Sequence, residues 1–256
     1  DESVQRLVSL QYTYLHRVLA DLKEKGFSFF HPEELDVKTK AWLRHYFEEQ
    51  IYPVVTPLAV DSGHPFPFLA NNTINAIVRI FQVQPDGTKD YKIAILPIPS
   101  VLDRIIEVPS SSNKEHRFVY LEDVISYYAI QFFQGYGIEE AMIFRLTRDA
   151  DLEIDEEDAK DLLTEVEASL RRRRRGDAVR LEVVGSPELL RTVLASVELE
   201  EKDVYHIDGH LDCRMYFDFS NYPGYDNLRY KPFEPKIPSD LIGFEGENLL
   251  DVIRNR

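Results

Sequence analysis

The chain is poor in cysteine, in long apolar runs and in positive charge, and each shortage excludes some classes of protein. One cysteine, Cys213, occurs in 256 residues, which excludes an internal disulfide and favours a reducing compartment. No uninterrupted apolar stretch reaches the roughly 20 residues that cross a bilayer, and no signal-like start is visible. We therefore expect a soluble cytoplasmic protein. Peripheral membrane association is left open, although no amphipathic basic helix supports it.

Acidic residues outnumber basic ones. The chain holds 30 Lys and Arg against 45 Asp and Glu, for a formal net charge of -15. Because polyanions bind largely through cationic side chains and counterion release, a nucleic-acid platform over the whole surface is excluded, and any polyanion site must be local. The hydrophobic content of 44% is enough to bury the core of one large or two small domains.

The common phosphate and calcium motifs are missing as well. There is no GxxxxGKS or GxxxxGKT loop and no glycine-rich dinucleotide turn, so neither standard backbone cradle for a nucleotide is present. Alternating acidic residues begin like a calcium loop, at Asp149, Asp151, Glu153 and Asp155. Ile154 stands where such a loop needs glycine, and Lys160 stands where it needs a bidentate carboxylate, so the calcium interpretation fails.

Metal-ligating residue types cluster near the end of the chain, at His206, Asp208, His210, Asp212 and Cys213. Alternate spacing on a strand would place three of them on one face. Gly209 is expected to end the strand first, so solvated residues at a strand end are the preferred interpretation and no metal site is predicted. His64 is interpreted as a structural loop residue, because no carboxylate with suitable spacing accompanies it.

Apolar residues at helical spacing predict two helices at the start of the chain. The first ends at Gly26, and the second begins near His31 or Val37. The second helix is expected to bury one face, which carries Trp42, Leu43, Tyr46, Phe47 and Ile51. Proline then recurs through residues 52–75, which predicts a rigid, extended connector fixed at Pro53, Pro57, Pro65 and Pro67.

Beyond the connector the pattern alternates between strand and helix. A hairpin of strands 74–82 and 91–98 is predicted around Pro85-Asp86-Gly87, followed by an exposed loop at 109–114. The later elements are expected to be helix 121–134, strand 141–146, helix 155–175, strand 178–184, helix 187–197 and strand 204–207. This order predicts an α+β (mixed α/β) fold, with a helical N-terminal segment followed by a mixed sheet covered by helices. After Leu211 the sequence predicts an irregular linker.

Five segments with distinctive amino-acid sequences follow one another along the chain. They are PLAVDSGHPFPFLANN (57–72), VYLEDVI (119–125), RLTRDADLEIDEEDAKDLL (145–163), RRRRRGDAVRLEV (171–183) and DVYHIDGHLD (203–212). In this order and spacing they resemble the motifs of the polyphosphate kinase family that works through a phosphohistidine. The resemblance covers nearly the whole chain.

The resemblance implies that the chain is one part of a larger enzyme. Similar proteins have a helical N-terminal domain, a head domain and two C-terminal catalytic domains related to phospholipase D. On this basis residues 1–27 would be the last helix of the N-terminal domain, 28–236 the head (middle) domain, and 237–256 the linker into the missing catalytic domains. The intact protein would reversibly transfer the terminal phosphate of ATP to polyphosphate, using a phosphohistidine and Mg2+.

The resemblance also limits what this chain does alone. No histidine here matches the phosphohistidine motif, so no catalytic or metal-binding residue is assigned, and we expect the chain to be inactive and to bind neither Mg2+ nor ATP. The head domain of similar proteins contributes to a dimer interface and shapes the path to the active site, which implies a homodimer. A non-catalytic interaction module is the alternative, favoured by the aromatic residues Tyr216, Phe217, Phe219, Tyr222, Tyr225 and Phe233.

The arginine run leaves two interpretations. The predicted helix 155–175 is acidic in its first turn and basic in its last, with Gly176 as C-cap, which complements the helix dipole. Successive arginines point about 100° apart, so only some of them can face one ligand. A solvated helix end is the preferred interpretation. The alternative is polyphosphate binding through Arg148, Arg171, Arg172, Arg173, Arg174 and Arg175.

Overall fold

The structure is a computed structural model that describes residues 2–61, 63–112, 114–149 and 176–236, together with Leu250 and Arg254. The chain divides into two units, Asp1–Met215 and Tyr216–Arg256. Two sequence predictions fall outside the described residues: the helix 155–175 with Arg171 to Arg175, and most of the linker 237–256. The predicted domain limits at residues 27 and 236 stay predictions.

The first helix, α1, spans Glu2–Glu24 and meets the core through the buried Tyr12 and the partly buried Val8 and Leu15. It ends before Gly26, as the sequence predicted. Gly26 has φ +94, a left-handed backbone that glycine adopts without a steric penalty. This reversal leads directly into a short strand, β1, at Phe27–Phe29.

The second helix, α2, spans Val37–Tyr46, and a π-helical turn at Phe47–Ile51 continues it. Asp36 caps its start, because the carboxylate Oδ1 accepts the Thr39 N–H at 3.0 Å. The predicted apolar face is confirmed by burial. Leu43, Phe47 and Ile51 are fully buried, and Trp42 and Tyr46 pack partly buried against the same core.

Within the described residues, eight further strands and three helices follow in chain order. The strands are Leu58–Val60 (β2), Ile74–Val83 (β3), Lys89–Pro97 (β4), Ile105–Val108 (β5), His116–Tyr120 (β6), Gly137–Arg148 (β7), Ala178–Gly185 (β8) and Val204–His206 (β9). The helices are Leu121–Tyr127 (α3), Pro187–Val197 (α4) and Met215–Phe219 (α5). The strands form a six-stranded sheet, β2-β4-β3-β7-β8-β9, and a three-stranded sheet, β1-β6-β5. Both sheets mix parallel and antiparallel pairs, so the fold is α+β.

The larger sheet separates two apolar cores. Along β3, Ala76 and Val78 belong to one core and Ile77 to the other. Because successive strand residues point to opposite faces, the two cores lie on opposite sides of the sheet. α4 closes one side and buries Leu189, Leu190, Val193 and Leu194. α2 and α3 pack in the other core.

Two sequence predictions about elements are corrected. The helix predicted for 121–134 ends at Tyr127, and a 3-10 turn at Ala129–Phe132 replaces its second half. Tyr128 leaves helical geometry, with φ -96 and ψ 10, and its ring stacks on Phe47 at 4.8 Å between centroids. Packing therefore overrides helix propensity. The predicted connector also contains β2, which pairs with β4.

The second unit is described over residues 216–236 and contains no buried residue there. After α5 it has one 3-10 turn, Asp226–Leu228, so the predicted irregular linker is largely confirmed. Arg229 ties the segment to itself, since its guanidinium donates to the carbonyl oxygens of Ser220 at 2.9 Å and Tyr222 at 2.8 Å. Among the described residues, no helix combines the length and apolar character that crossing a bilayer requires.

Candidate functional site

The proline-rich motif forms a loop, here called the signature loop (residues 61 and 63–72), that is hydrogen-bonded to the end of β7. The Asn72 N–H donates to the Leu146 carbonyl at 2.8 Å, and Thr147 Oγ1 donates to Asn72 Oδ1 at 3.2 Å. The Arg148 N–H donates to Asn71 Oδ1 at 2.9 Å. Two motifs that are separate in the sequence, FLANN and LTRD, therefore meet at the C-terminal end of β7.

Arg148 is the charged residue that joins the segments meeting at this end of β7. Its Nε donates to the Leu69 carbonyl and its Nη1 to the Gly176 carbonyl, both at 2.9 Å. The guanidinium carbon lies 4.2 Å from the centroid of the exposed Phe68 ring, a cation–π distance. Nη2 takes part in none of the hydrogen bonds that the described residues make to this side chain.

Within the described residues, the charge of Arg148 is only weakly compensated. Burial lowers the pKa of Arg148, and Asp177 acts in the opposite direction through its negative charge. Within the described ranges no carboxylate forms an ion pair with this guanidinium, whose bonds go to neutral carbonyl oxygens. A cation held in this way can accept an anion without first losing a salt bridge. Of the six arginines predicted to contact polyphosphate, Arg148 alone lies in the described residues.

The start of the signature loop corrects one premise about His64, that no carboxylate accompanies it; its interpretation as a structural loop residue stands as a prediction. Asp61 Oδ1 accepts the backbone N–H groups of Gly63 and His64, both at 2.8 Å, and lies 3.0 Å from His64 Nδ1. The hydrogen bond from His64, followed by those from the two amides, lowers the pKa of Asp61. His64 therefore has a carboxylate partner three residues earlier. Its side chain is 74% exposed, which leaves Nε2 facing solvent when Nδ1 donates to Asp61.

The histidines and aspartates near the end of the chain do not converge. His210 Nε2 lies 2.9 Å from Asp123 Oδ2, and the same oxygen lies 3.1 Å from His31 Nδ1. Asp208 is 93% exposed, whereas Asp212 pairs with Arg145 at 3.3 Å. Among the residues that the structure describes, no group of three or more His, Cys, Asp or Glu is arranged to hold a metal ion.

Sequence analysis missed a chain of alternating charges on one face of the larger sheet. Arg145 and Arg180 both contact the buried Glu182, and Arg145 also contacts Asp212. Burial opposes the ionisation of Asp212, but hydrogen bonds from Arg214 and the charge of Arg145 outweigh it and lower the pKa of that carboxyl. Arg180 and Glu182 alternate with the apolar residues of β8, and this spacing was the available signal.

Comparison with known proteins identifies the family. The family model described as the polyphosphate kinase middle domain matches residues 38–219. The polyphosphate kinase of Halalkalibacterium halodurans is 38% identical over 261 residues, covering 100% of this chain and 36% of that protein. The polyphosphate kinase of Pseudomonas syringae pv. tomato is 36% identical, covering 98% of this chain and 34% of that protein. The chain therefore belongs to the polyphosphate kinase family and spans about a third of the length of these relatives.

A solved structure supports the fold. The crystal structure of polyphosphate kinase from Porphyromonas gingivalis matches with a TM-score of 0.71 at 22% sequence identity. The match covers 100% of this chain and 36% of that one. At this identity the likeness establishes the architecture alone, and it agrees with the mixed α+β fold described above.

Proposed function

We propose that this chain is the middle domain of a longer polyphosphate kinase that reversibly transfers the terminal phosphate of ATP to polyphosphate. The carrying observation is the match of residues 38–219 to the middle-domain model, within relatives about three times as long. The phosphohistidine, Mg2+ and ATP belong, on this proposal, to parts of the protein outside this chain. The chain itself then serves dimerisation and shapes the path to the active site, in a cytoplasmic enzyme.

An activity comparison tests the proposal. ATP-dependent polyphosphate synthesis, and the reverse formation of ATP, are measured for this chain and for the longer protein that carries it. We expect turnover by the longer protein only. Turnover by the 256-residue chain would refute its assignment as a non-catalytic part, and failure of both proteins would refute the proposed reaction.

A second role, binding of polyphosphate at the signature loop, is favoured by the weakly compensated charge of Arg148. A phosphate chain would contact Nη2, beside the exposed ring of Phe68. This role is supported by the hydrogen bonds of Arg148, which go to the neutral carbonyl oxygens of Leu69 and Gly176. A guanidinium whose partners are neutral keeps its attraction for anions.

Titration of polyphosphate into this chain at low and moderate salt tests that role. Arg148→Gln should weaken binding and reduce the slope of log affinity against log salt by roughly one. Arg148→Lys keeps the charge but loses the forked geometry, so it should bind with intermediate affinity. Arg191→Gln, on the exposed face of α4, is the matched control and should leave the slope unchanged. Equal binding by the Arg148→Gln and Arg191→Gln variants would end the proposal.

A further inference from the structure

The first helix, α1, and the segment that follows β9 lie side by side, although 198 residues separate the two that are in contact. The segment after β9 is here called the exit segment (Asp208–Arg214). The Tyr12 Oη on α1 donates to the His210 carbonyl at 2.8 Å, with the two residues 198 apart in sequence. Tyr12 is also the one buried residue of α1. Val8 and Leu15 also pack, partly buried, against the core, so the contact with the exit segment is one of those that seat the helix on the domain.

The fit around Tyr12 is close. A Cβ placed on Gly209 would lie 2.9 Å from Tyr12 Cδ1, and Gly209 has φ +151, a conformation that L side chains rarely adopt. Only glycine lets the exit segment approach the ring this closely. Burial, and then the neighbouring Cys213, raise the pKa of Tyr12 above its ordinary value, so the hydroxyl stays a donor even at alkaline pH.

The exit segment is in turn held by the rest of the domain. Arg145 reaches the Asp212 carboxylate at 3.3 Å, and Arg104 Nη1 donates to the Asp212 carbonyl at 3.1 Å. The His210 ring stacks on Tyr120, with 3.6 Å between centroids. These contacts come from β7, β6 and the stretch before β5. The exit segment therefore lies between α1 and the sheets, bonded on both sides.

We propose that α1 and the exit segment are energetically coupled, so that a change which increases local opening of one also increases local opening of the other. A force or ligand that displaces α1 removes the Tyr12 contact and weakens the hold on the chain that leaves the domain at Met215. By linkage, release of the exit segment frees α1 to the same extent. The device depends on side-chain geometry within this chain, so it stands or falls independently of the reaction proposed above.

Hydrogen exchange measured by mass spectrometry on this chain tests the coupling in one direction. Tyr12→Phe removes one hydrogen bond and keeps the ring, and it should raise exchange in residues 207–214 by roughly fivefold, the effect expected from one net hydrogen bond. Gly209→Ala should raise exchange in both 207–214 and α1. Tyr14→Phe, at a tyrosine of the same helix that is 56% exposed, is the matched control and should change neither.

The reverse direction is tested from the exit segment. Asp212→Asn, which weakens the contact with Arg145, should raise exchange in α1. Asp208→Asn is its control, because the exposed ion pair of Asp208 with His16, at 3.9 Å, should contribute nothing measurable. Exchange in β3 and β4 should stay unchanged, which separates local loosening from global unfolding. Faster exchange confined to α1 in Tyr12→Phe, with residues 207–214 unaffected, would overturn the coupling.

Discussion

Two carboxylates are buried among the described residues of this domain, and arginines pair with both. Glu122 is 1% exposed and Glu182 is 5% exposed. The Glu122 carboxylate accepts hydrogen bonds from Arg104, and Glu182 accepts them from Arg145 and Arg180. A buried charge is tolerated because its partner and its hydrogen bonds are both present, and removing one partner leaves the other uncompensated.

Glu122→Gln is therefore expected to lower the free energy of unfolding by about 3 kcal/mol, because Arg104 keeps its charge and loses its counterion. Urea denaturation at neutral pH measures the change. Glu115→Gln, an exposed site in the loop before β6, is the control and should stay within about 0.5 kcal/mol of the parent. Equal stability of the two variants would contradict the role given to the buried pair.

Asp36 gives a prediction for pH. The Thr39 amide and hydroxyl, then Arg117, stabilise its carboxylate and lower the pKa below the ordinary 3.8. Because the folded-state pKa is lowered, the contribution to stability is complete above the unfolded value and is lost as pH falls through the folded value. The difference in Tm between the parent and Asp36→Ala should thus be constant from neutral pH to about pH 5 and shrink under strong acid. A difference that shrinks in the neutral range would refute this assignment, and Asp90→Ala serves as an exposed control.

At the scale of elements, long periodic segments were predictable from the sequence and most short ones were not, although the three-residue β9 (Val204–His206) lies where strand 204–207 was predicted. α1, α2, α4, β3, β4, β7 and β8 all appear at or near their predicted positions. β1 and β2 have three residues each and β5 has four, which is too few for an alternating pattern to stand out. These segments are strands because they form backbone hydrogen bonds with longer neighbouring strands, and their own sequences do not show this.

Gly26 joins α1 to β1, and its replacement should be costly for a local reason. A Cβ there would lie 2.5 Å from the Lys114 carbonyl oxygen, whereas one on Gly87, at φ +84, would meet nothing within 4 Å. Both positions share the penalty of positive φ, so the difference between them isolates the clash. Thermal unfolding should show a larger loss of Tm for Gly26→Ala than for Gly87→Ala. Equal losses would show that the backbone moves to accommodate the added methyl group.

The candidate site shows a similar division. The signature loop and Arg148 could be identified from the sequence, because both lie in recognisable sequence motifs. It did not show that these motifs are joined, nor that Asp61 bonds His64, because an exposed loop has no period from which its hydrogen bonds can be derived. The contacts of Asp212 were hidden for another reason: Arg145 and Glu182 lie on strands whose register the sequence does not state.

At the scale of the whole molecule, the proposed homodimer is open to a direct test. Size-exclusion chromatography with light scattering at several concentrations should show a dimer that dissociates on dilution. If the aromatic residues of the second unit carry the contact, Phe233→Ser, at an 88% exposed ring, should shift the equilibrium toward monomer. Val37→Ser, at an 86% exposed site on α2, is the control. A strict monomer at every concentration would remove the dimer proposal for this chain.

The margins of both sheets bear on how copies of this domain can associate. The outermost strands, β2 and β9 in one sheet and β1 and β5 in the other, have only three or four residues each within the described chain. Unpaired backbone groups along a long, flat strand are what recruit a foreign strand and seed fibrils. Because the outermost strands are short and every copy carries the same net charge, growth by strand pairing between copies is disfavoured, and association through side-chain surfaces is expected instead.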